Sequence, residues 1–141
     1  MAITWKDDDR DVDWQALSDL YRQAPLGDKH PADLKTVFGN SMFKRFVVDD
    51  GVLVGAGRVL ADGVDTAYLC DVAVLPSHQG MGLGRELVAT LIGLSLGHRK
   101  IILYAAPGRE AFYAKLGFRP MTTAMAIFLD PAQAAAHGYI V

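Results

Sequence analysis

Residues 78–87 read His-Gln-Gly-Met-Gly-Leu-Gly-Arg-Glu-Leu, and three glycines alternate with larger residues just before an apolar run. Glycine weakens a helix, so three glycines at the start of one need a structural reason. A glycine-rich turn between a strand and a helix brings backbone N–H groups to the positive end of the helix dipole, where phosphates bind well. The segment therefore predicts an anion-binding turn, with a tight turn that binds no ligand as the alternative.

Two common phosphate-binding motifs do not fit this spacing. The dinucleotide fingerprint G-x-G-x-x-G needs a final glycine where this chain has Arg85 or Leu87, depending on the starting glycine. A P-loop ends in Gly-Lys-Ser/Thr, and this turn has no such ending. The turn therefore belongs to neither class.

The chain has 141 residues, which suits one domain with a sizeable core, and we expect residues 1–141 to form that domain. The net charge of −2 gives no general attraction for nucleic acid or for an anionic membrane. The longest apolar run, around Leu87 to Leu96, is too short to span a bilayer. Met1 to Lys6 lacks the pattern of a signal peptide. These features favour a cytoplasmic protein with neither a nucleic-acid nor a membrane partner.

The residue types that most often bind metal do not form a recognisable site. The only cysteine is Cys70, so neither an internal disulfide nor a Cys-rich zinc site is expected. The aspartates from Asp7 to Asp13 lack the spacing of a calcium-binding loop and are typical of a solvated turn and helix start. We expect no metal.

Hydrophobic periodicity and turn residues predict alternating strands and helices. Strands are predicted at Ile3 to Lys6, Phe43 to Val48, Val52 to Leu60, Thr66 to Leu75, Lys100 to Ala105 and Ala124 to Leu129. Helices are predicted after Asp13, from Pro31, from Gly82 to about Gly97, after Pro107-Gly108-Arg109 and after Asp130. A strand-helix-strand unit that follows hairpin-connected strands indicates a mixed sheet with helices on its faces.

Two motifs resemble those of the GCN5-related N-acetyltransferase (GNAT) family. Residues 79–84 match its Q/R-x-x-G-x-G/A loop, which binds the pyrophosphate of acetyl-coenzyme A (acetyl-CoA), and residues 112–118, FYAKLGF, resemble its signature on the helix after the fifth strand. The resemblance runs from about Trp14 to Leu129. It implies an α/β (α+β) fold: a central mixed, mostly antiparallel sheet of six to seven strands, with splayed fourth and fifth strands and about four helices on its faces.

The resemblance also implies where acetyl-CoA binds. The pantetheine arm is expected to lie between the splayed strands and to pair with the backbone after Asp71. The implied cofactor-binding residues are Val72, Ala73, Val74, Gln79, Gly80, Met81, Gly82, Leu83, Gly84, Arg85 and Tyr113. Many members carry Arg or Lys where Met81 stands, and Arg85 is a candidate to replace that charge.

Acetyl transfer to an amine needs a neutral amine, a donor to the developing oxyanion and a proton for the departing thiolate. The motif implies that Tyr113 is the general acid, and a phenol with a pKa of about 10 suits a thiolate leaving group. Asp71 is a carboxylate in an otherwise apolar strand, and it is either the general base or a structural hydrogen-bond acceptor. Cys70 is either an acyl-carrying nucleophile or a buried inert thiol.

Acceptor specificity in the family resides mainly in regions that correspond here to about residues 24–40 and 120–126. The candidate substrate-binding residues are Leu26, Phe38, Tyr68 and Cys70. The motifs resemble both the arylalkylamine (serotonin-like) and the glucosamine-6-phosphate acetyltransferases, and the latter usually carry Glu where Cys70 stands.

We therefore expect direct acetyl transfer, in a ternary complex, to the primary amine of a small molecule. Alternatives are a glucosamine-6-phosphate-type enzyme, a protein amine acetyltransferase and a non-catalytic acetyl-CoA sensor. Relatives also form homodimers through late strands, and Met121 to Phe128 is apolar enough to take part.

Overall fold

Five strands form one sheet, in the same order in space as along the chain. The computed structural model describes residues 1–141, which separate into two compact units, Met1–Leu103 and Tyr104–Val141. The first unit contains β1 (Ile3–Lys6), α1 (Trp14–Gln23), α2 (Pro31–Gly39), β2 (Phe43–Asp49), β3 (Val52–Ala61), β4 (Thr66–Val74), a 3-10 turn (Pro76–His78), α3 (Leu83–Ser95) and β5 (Lys100–Ile102). The second contains α4 (Glu110–Ala114) and α5 (Pro131–Ala136).

The sheet is mixed, as the sequence predicts. Strands β1 to β4 are antiparallel neighbours, whereas β4 and β5 are parallel. The parallel pairing covers only three residue pairs and ends at Tyr68 opposite Ile102, although β4 continues to Val74. The end of β4 therefore lacks a strand partner on the side of β5, which is the predicted splay.

The two faces of the sheet are covered by different helices. Leu20, Tyr21 and Phe38 from α1 and α2 form one core cluster with Phe46 and other sheet residues. The next residue of β2, Val47, points to the opposite face and packs with Val54 and with Leu83 of α3. The chain thus forms a helix–sheet–helix arrangement within the first unit.

Two glycines in β3 allow close packing on the sheet, as their position in the strand suggests. A Cβ added at Gly55 would lie 2.5 Å from Val47 Cγ1 and 3.1 Å from the backbone oxygen of Ala73. A Cβ added at Gly57 would lie 3.0 Å from a methyl group of Leu91 in α3. Any larger residue at Gly55 would push neighbouring strands apart, so this position needs glycine for space.

The sequence predicts the helix starts well. Asp13 caps α1 by accepting a hydrogen bond from the Ala16 backbone N–H at 3.1 Å. Asp130 caps α5 in the same way, with its carboxylate 3.0 Å from the Gln133 backbone nitrogen. In both cases a short acidic side chain satisfies a backbone donor that the helix leaves without an internal partner.

The predicted strand Ala124 to Leu129 is wrong, and the sheet has five strands rather than six to seven. The segment belongs to no strand, and Met125, Ile127 and Leu129 are almost fully exposed. A strand requires a backbone partner, and an apolar composition does not identify one. Strand β5 is also shorter than predicted, since it ends at Ile102 rather than Ala105.

Candidate active site

The glycine-rich loop leads directly into α3, as the sequence predicts. Gly80 and Gly82 have φ angles of +79° and +82°, a left-handed conformation that side chains rarely adopt. A Cβ at either glycine would meet no atom within 4 Å, so these positions need glycine for conformation and leave open space above the loop. The loop therefore has an accessible backbone surface.

The start of α3 presents backbone donors beside this open space. The first helical hydrogen bond runs from the Glu86 N–H to the carbonyl of Gly82 at 3.1 Å. The N–H groups of Leu83, Gly84 and Arg85 therefore have no acceptor within the helix. Together with the helix dipole, these groups fit the charge and hydrogen-bonding needs of a pyrophosphate.

Two side chains hold the loop in place from its N-terminal side. Gln79 Nε2 donates to the carbonyl of Val74 at 3.0 Å and so closes the loop onto the end of β4. His78 is partly buried, with its Nε2 2.7 Å from Asp49 Oδ2. This contact joins the 3-10 turn to the end of β2. The two residues are distant in sequence, and no local sequence pattern indicates that they meet.

Strand β4 contains a β-bulge next to the region predicted to bind pantetheine. Ala56 faces Ala73 and Arg58 faces Cys70, so two steps along β3 correspond to three steps along β4. The extra residue lies at Asp71, whose φ of +56° is in the left-handed region. The bulge redirects the backbone just before Val72, where β4 has already lost β5 as a partner.

Asp71 is held through both its carboxylate and its backbone. Arg58 Nε donates to Asp71 Oδ2 at 2.8 Å, and Lys29 Nζ lies 3.5 Å from Asp71 Oδ1. The Tyr21 hydroxyl donates to the Asp71 carbonyl at 2.6 Å. Arg58 also donates to Ser41 Oγ at 3.3 Å, so the guanidinium joins β3 to the end of α2. The carboxylate is therefore already engaged by two cations.

Cys70 and Tyr68 lie on β4 before the bulge and are both partly buried. Burial raises the pKa of the Cys70 thiol to about 11, although the nearby Arg58 opposes that shift. The thiol is therefore protonated at neutral pH, and the thiolate is the form that acts as a nucleophile. This protonation state disfavours the acyl-carrying role.

The other two predicted substrate residues are placed differently from each other. Leu26 is partly buried in the loop between α1 and α2, where it packs against the core. Phe38 has no exposed surface and stacks on Phe46, with ring centroids 5.3 Å apart. Phe38 is thus a core residue, and in this structure it has no surface to offer a substrate.

Tyr113 lies in α4, within the second unit. Its ring makes edge contacts with Phe112 and Phe118, at centroid distances of 5.0 Å and 5.9 Å. Burial raises the pKa of Tyr113, with a smaller opposing effect from Arg109. The phenol therefore keeps its proton at neutral pH, which is the state that a general acid requires.

Two further features of the structure bear on the class of site. No group of three or more His, Cys, Asp or Glu side chains is arranged to hold a metal ion. None of the helices combines the length and the apolar character needed to cross a membrane.

Comparison with known proteins identifies the family. The sequence profile of the acetyltransferase (GNAT) family matches residues 10–118, and the chain belongs to this family. The match covers most of the first unit and continues through α4. The matched residues include the glycine-rich loop and all of β4.

Curated relatives match about half of the chain. Serotonin N-acetyltransferase 2, chloroplastic, from Oryza sativa subsp. japonica is 40% identical over 79 residues, which cover 50% of this chain and 40% of the relative. Glucosamine 6-phosphate N-acetyltransferase from Trypanosoma brucei brucei is 39% identical over 77 residues, which cover 49% of this chain and 52% of the relative. The matched region thus spans about half of each relative or less.

A solved structure shows the same fold over almost the whole chain. The probable acetyltransferase SA2161 from meticillin-resistant Staphylococcus aureus superposes with a TM-score of 0.81 and is 21% identical. The similarity covers 92% of this chain and 99% of that one. This comparison supports the fold and carries no information on the acceptor.

Proposed function

We propose that this chain is an N-acetyltransferase that moves the acetyl group of acetyl-CoA to the primary amine of a small molecule. The observation that carries the proposal is the open glycine loop at the start of α3, in which two glycines have a left-handed backbone. The loop follows β4, whose end has no strand partner on the side of β5. Family membership supplies the cofactor class. We further propose that residues 1–141 act as one acetyltransferase domain, because the family match includes parts of both units.

Two regions of the first unit would hold acetyl-CoA, the start of α3 and the end of β4. When bound, acetyl-CoA supplies a thioester as the acyl donor. The N–H groups at Leu83, Gly84 and Arg85 would bind the pyrophosphate, because they are donors at a positive helix end. Arg85 is exposed on the first turn of α3, and its cationic side chain can add to this anion site. The backbone at Val72–Val74 would pair with the extended pantetheine arm, as an added strand does.

The reaction also needs two proton transfers, one to the departing thiolate and one from the attacking amine. Tyr113 would donate a proton to the departing thiolate, a role that rests on its place in the FYAKLGF motif and on its protonated state. Asp71 would act as a positioning residue rather than as the general base, because Arg58 and Lys29 already hold both its carboxylate oxygens. Water would then carry the proton away from the amine.

A second acceptor class, an amine that also carries an anionic group such as a sugar phosphate, is favoured by one observation. Lys29 and Arg58 bring two positive charges to the single carboxylate of Asp71, so the cluster has an excess of one positive charge. Lys29 is the more exposed of the two cations, with 29% of its side-chain surface accessible. An anionic acceptor would gain from this charge, whereas a simple cationic amine would not.

An acceptor panel tests the proposed function. Thiol release from acetyl-CoA would be measured with tryptamine and serotonin, with glucosamine 6-phosphate, and with peptides that offer an N-terminal or lysine amine. Turnover on the first two supports the small-amine proposal, and turnover on the sugar phosphate supports the second class. Turnover on the peptides alone makes the chain a protein amine acetyltransferase. Cofactor binding without turnover on any of them contradicts the enzymatic proposal and favours a sensor.

The role of Asp71 is tested by Asp71→Asn. We expect the substitution to lower the free energy of unfolding by about 2 kcal/mol, because it removes the carboxylate that accepts a hydrogen bond from a largely buried Arg58. We expect kcat to fall by less than about tenfold, and the pH–rate profile to keep its acidic limb. A base role would instead remove that limb and lower kcat by a factor of about 100 or more.

Asp65→Asn provides a matched control. Asp65 also pairs with two cations, Lys100 at 2.8 Å and Arg99 at 3.7 Å, but it is far more exposed than Asp71. Exposed ion pairs contribute at most about 1 kcal/mol, so this variant should stay close to wild type in both stability and rate. Equal losses of stability and of kcat in the two variants would contradict a special role for Asp71.

Replacing Cys70 with alanine tests covalent catalysis. The protonated Cys70 thiol is a poor nucleophile, so we expect kcat of Cys70→Ala to stay within about threefold of wild type. Steady-state kinetics at saturating acetyl-CoA and acceptor would measure this. A loss of activity by a factor of about 1000, together with ping-pong kinetics in the wild type, would establish an acetyl-enzyme route instead.

A further inference from the structure

Tyr21 is the most completely buried polar side chain in contact with the bulge of β4. Its ring has no exposed surface and belongs to the core that α1 and α2 form on the sheet. Its hydroxyl reaches across 50 positions of sequence to the carbonyl of Asp71, at 2.6 Å. Burial, together with the nearby Asp71 carboxylate, holds the pKa of Tyr21 well above its usual range, so the hydroxyl keeps the proton that it donates.

The acceptor of this hydrogen bond is an unusual backbone group. Asp71 adopts a φ of +56°, a conformation that costs an ordinary residue free energy and that persists only where the surroundings support it. Support comes from both sides, since Arg58 and Lys29 hold the carboxylate and Tyr21 holds the carbonyl. A phenylalanine would fill nearly the same core volume, so what the hydroxyl adds is this hydrogen bond to the bulge.

The carbonyl of Asp71 and the N–H of Val72 belong to one planar peptide group. A hydrogen bond that fixes the direction of that carbonyl therefore also fixes the direction of the Val72 N–H. Val72 lies in the part of β4 beyond Tyr68, which has no strand partner on the side of β5. The orientation of this peptide group thus sets the direction of one backbone donor in that part of β4.

We infer that Tyr21 is a positioning residue, whose hydroxyl holds the Asp71 carbonyl and thereby orients the backbone of β4 that binds the pantetheine arm. The inference rests on the proposed function, because it assigns the bulged edge to the cofactor. On this inference, α1 both covers the sheet and positions the bulge of β4. Ser18, one turn earlier on α1, donates to the carbonyl of Lys29 at 2.6 Å and so fixes the loop whose lysine pairs with Asp71.

Tyr21→Phe tests the inference. We expect calorimetry to show a CoA dissociation constant about five- to tenfold higher than in the wild type, the usual cost of one lost buried hydrogen bond. We expect KM for acetyl-CoA to rise by the same factor, while kcat at saturation stays within about twofold. Hydrogen exchange should become faster at the amides of Val72 to Val74. An unchanged dissociation constant would overturn the inference.

Leu20→Val is the matched control. Leu20 precedes Tyr21 on α1, is 1% exposed and belongs to the same core cluster. Its substitution should lower the melting temperature without changing CoA affinity, because no polar contact to the bulge is lost. If Leu20→Val weakened CoA binding as much as Tyr21→Phe, the effect would reflect general destabilisation, and the inference would be wrong.

The outcomes separate this inference from the proposed function. A wild-type protein that does not bind CoA contradicts the proposed function, whereas normal wild-type binding with an unaffected Tyr21→Phe variant contradicts the inference alone. If Tyr21→Phe fails to fold, NMR on the wild-type protein with labelled tyrosine rings replaces it. The Tyr21 resonance should then shift during a CoA titration, and a resonance that stays in place would overturn the inference.

Discussion

Replacing Gly82 with glutamate is expected to abolish detectable binding of acetyl-CoA. Gly82 has a φ of +82° and precedes the first turn of α3, and an added Cβ there would meet no atom within 4 Å. Glutamate would place a negative charge at the predicted anion site, and its backbone would resist the left-handed conformation. We expect affinity to fall by a factor of about 100 or more, as measured by calorimetry.

Gly51→Glu is the control for this experiment. Gly51 lies in the turn between β2 and β3, has a φ of +83°, and likewise has no atom within 4 Å of an added Cβ. The control therefore introduces the same charge and the same backbone strain away from the loop. Both variants should lose similar stability, and only Gly82→Glu should lose acetyl-CoA. Wild-type affinity in a folded Gly82→Glu variant would show that the loop is not the pyrophosphate site.

Replacing Tyr113 with phenylalanine is expected to lower kcat by a factor of about 100 to 1000, the usual contribution of a positioned general acid. The ring contacts with Phe112 and Phe118 do not involve the hydroxyl, so the fold should persist. The dissociation constant for CoA should change by less than about threefold. A variant with full activity would contradict the role of Tyr113 as the acid.

The Tyr113 assignment also predicts a pH dependence. A general acid works only while protonated, and burial raises the pKa of Tyr113 above its ordinary value of 10.0. The alkaline limb that depends on Tyr113 should therefore begin above pH 10 in the wild type and disappear in Tyr113→Phe. Tyr139→Phe, which removes a hydroxyl elsewhere in the second unit, should leave both kcat and the profile unchanged.

Local signals in the sequence predicted much of the fold. The aspartate caps of α1 and α5, the proline at the start of α2 and the glycine turn before α3 act over a few residues, and each appears at its predicted place. The hairpin at Gly51 is equally local, since the turn residue itself adopts the conformation that the pattern requires. Such features depend on neighbours in sequence and so can be recognised without the tertiary structure.

Contacts between distant residues could not be predicted in the same way. The Tyr21–Asp71 hydrogen bond and the Arg58–Asp71 ion pair depend on the register between helices and strands, as does the His78–Asp49 contact. Phe38, which the sequence analysis names as a candidate substrate-binding residue, is a core residue for the same reason. The prediction of a strand from Ala124 to Leu129 was wrong because a strand needs a neighbouring strand to pair with, and composition does not reveal one.

The most direct test of the central claim is a calorimetric titration of the unmodified chain with CoA and, in parallel, with pantetheine, which lacks the pyrophosphate and the nucleotide. If the loop from Gln79 to Gly84 binds pyrophosphate, CoA should bind with a 1:1 stoichiometry and pantetheine should bind about 100-fold more weakly or not at all, since at least two charge-assisted hydrogen bonds are lost. No binding of CoA, or equal affinity for the two compounds, would contradict the account.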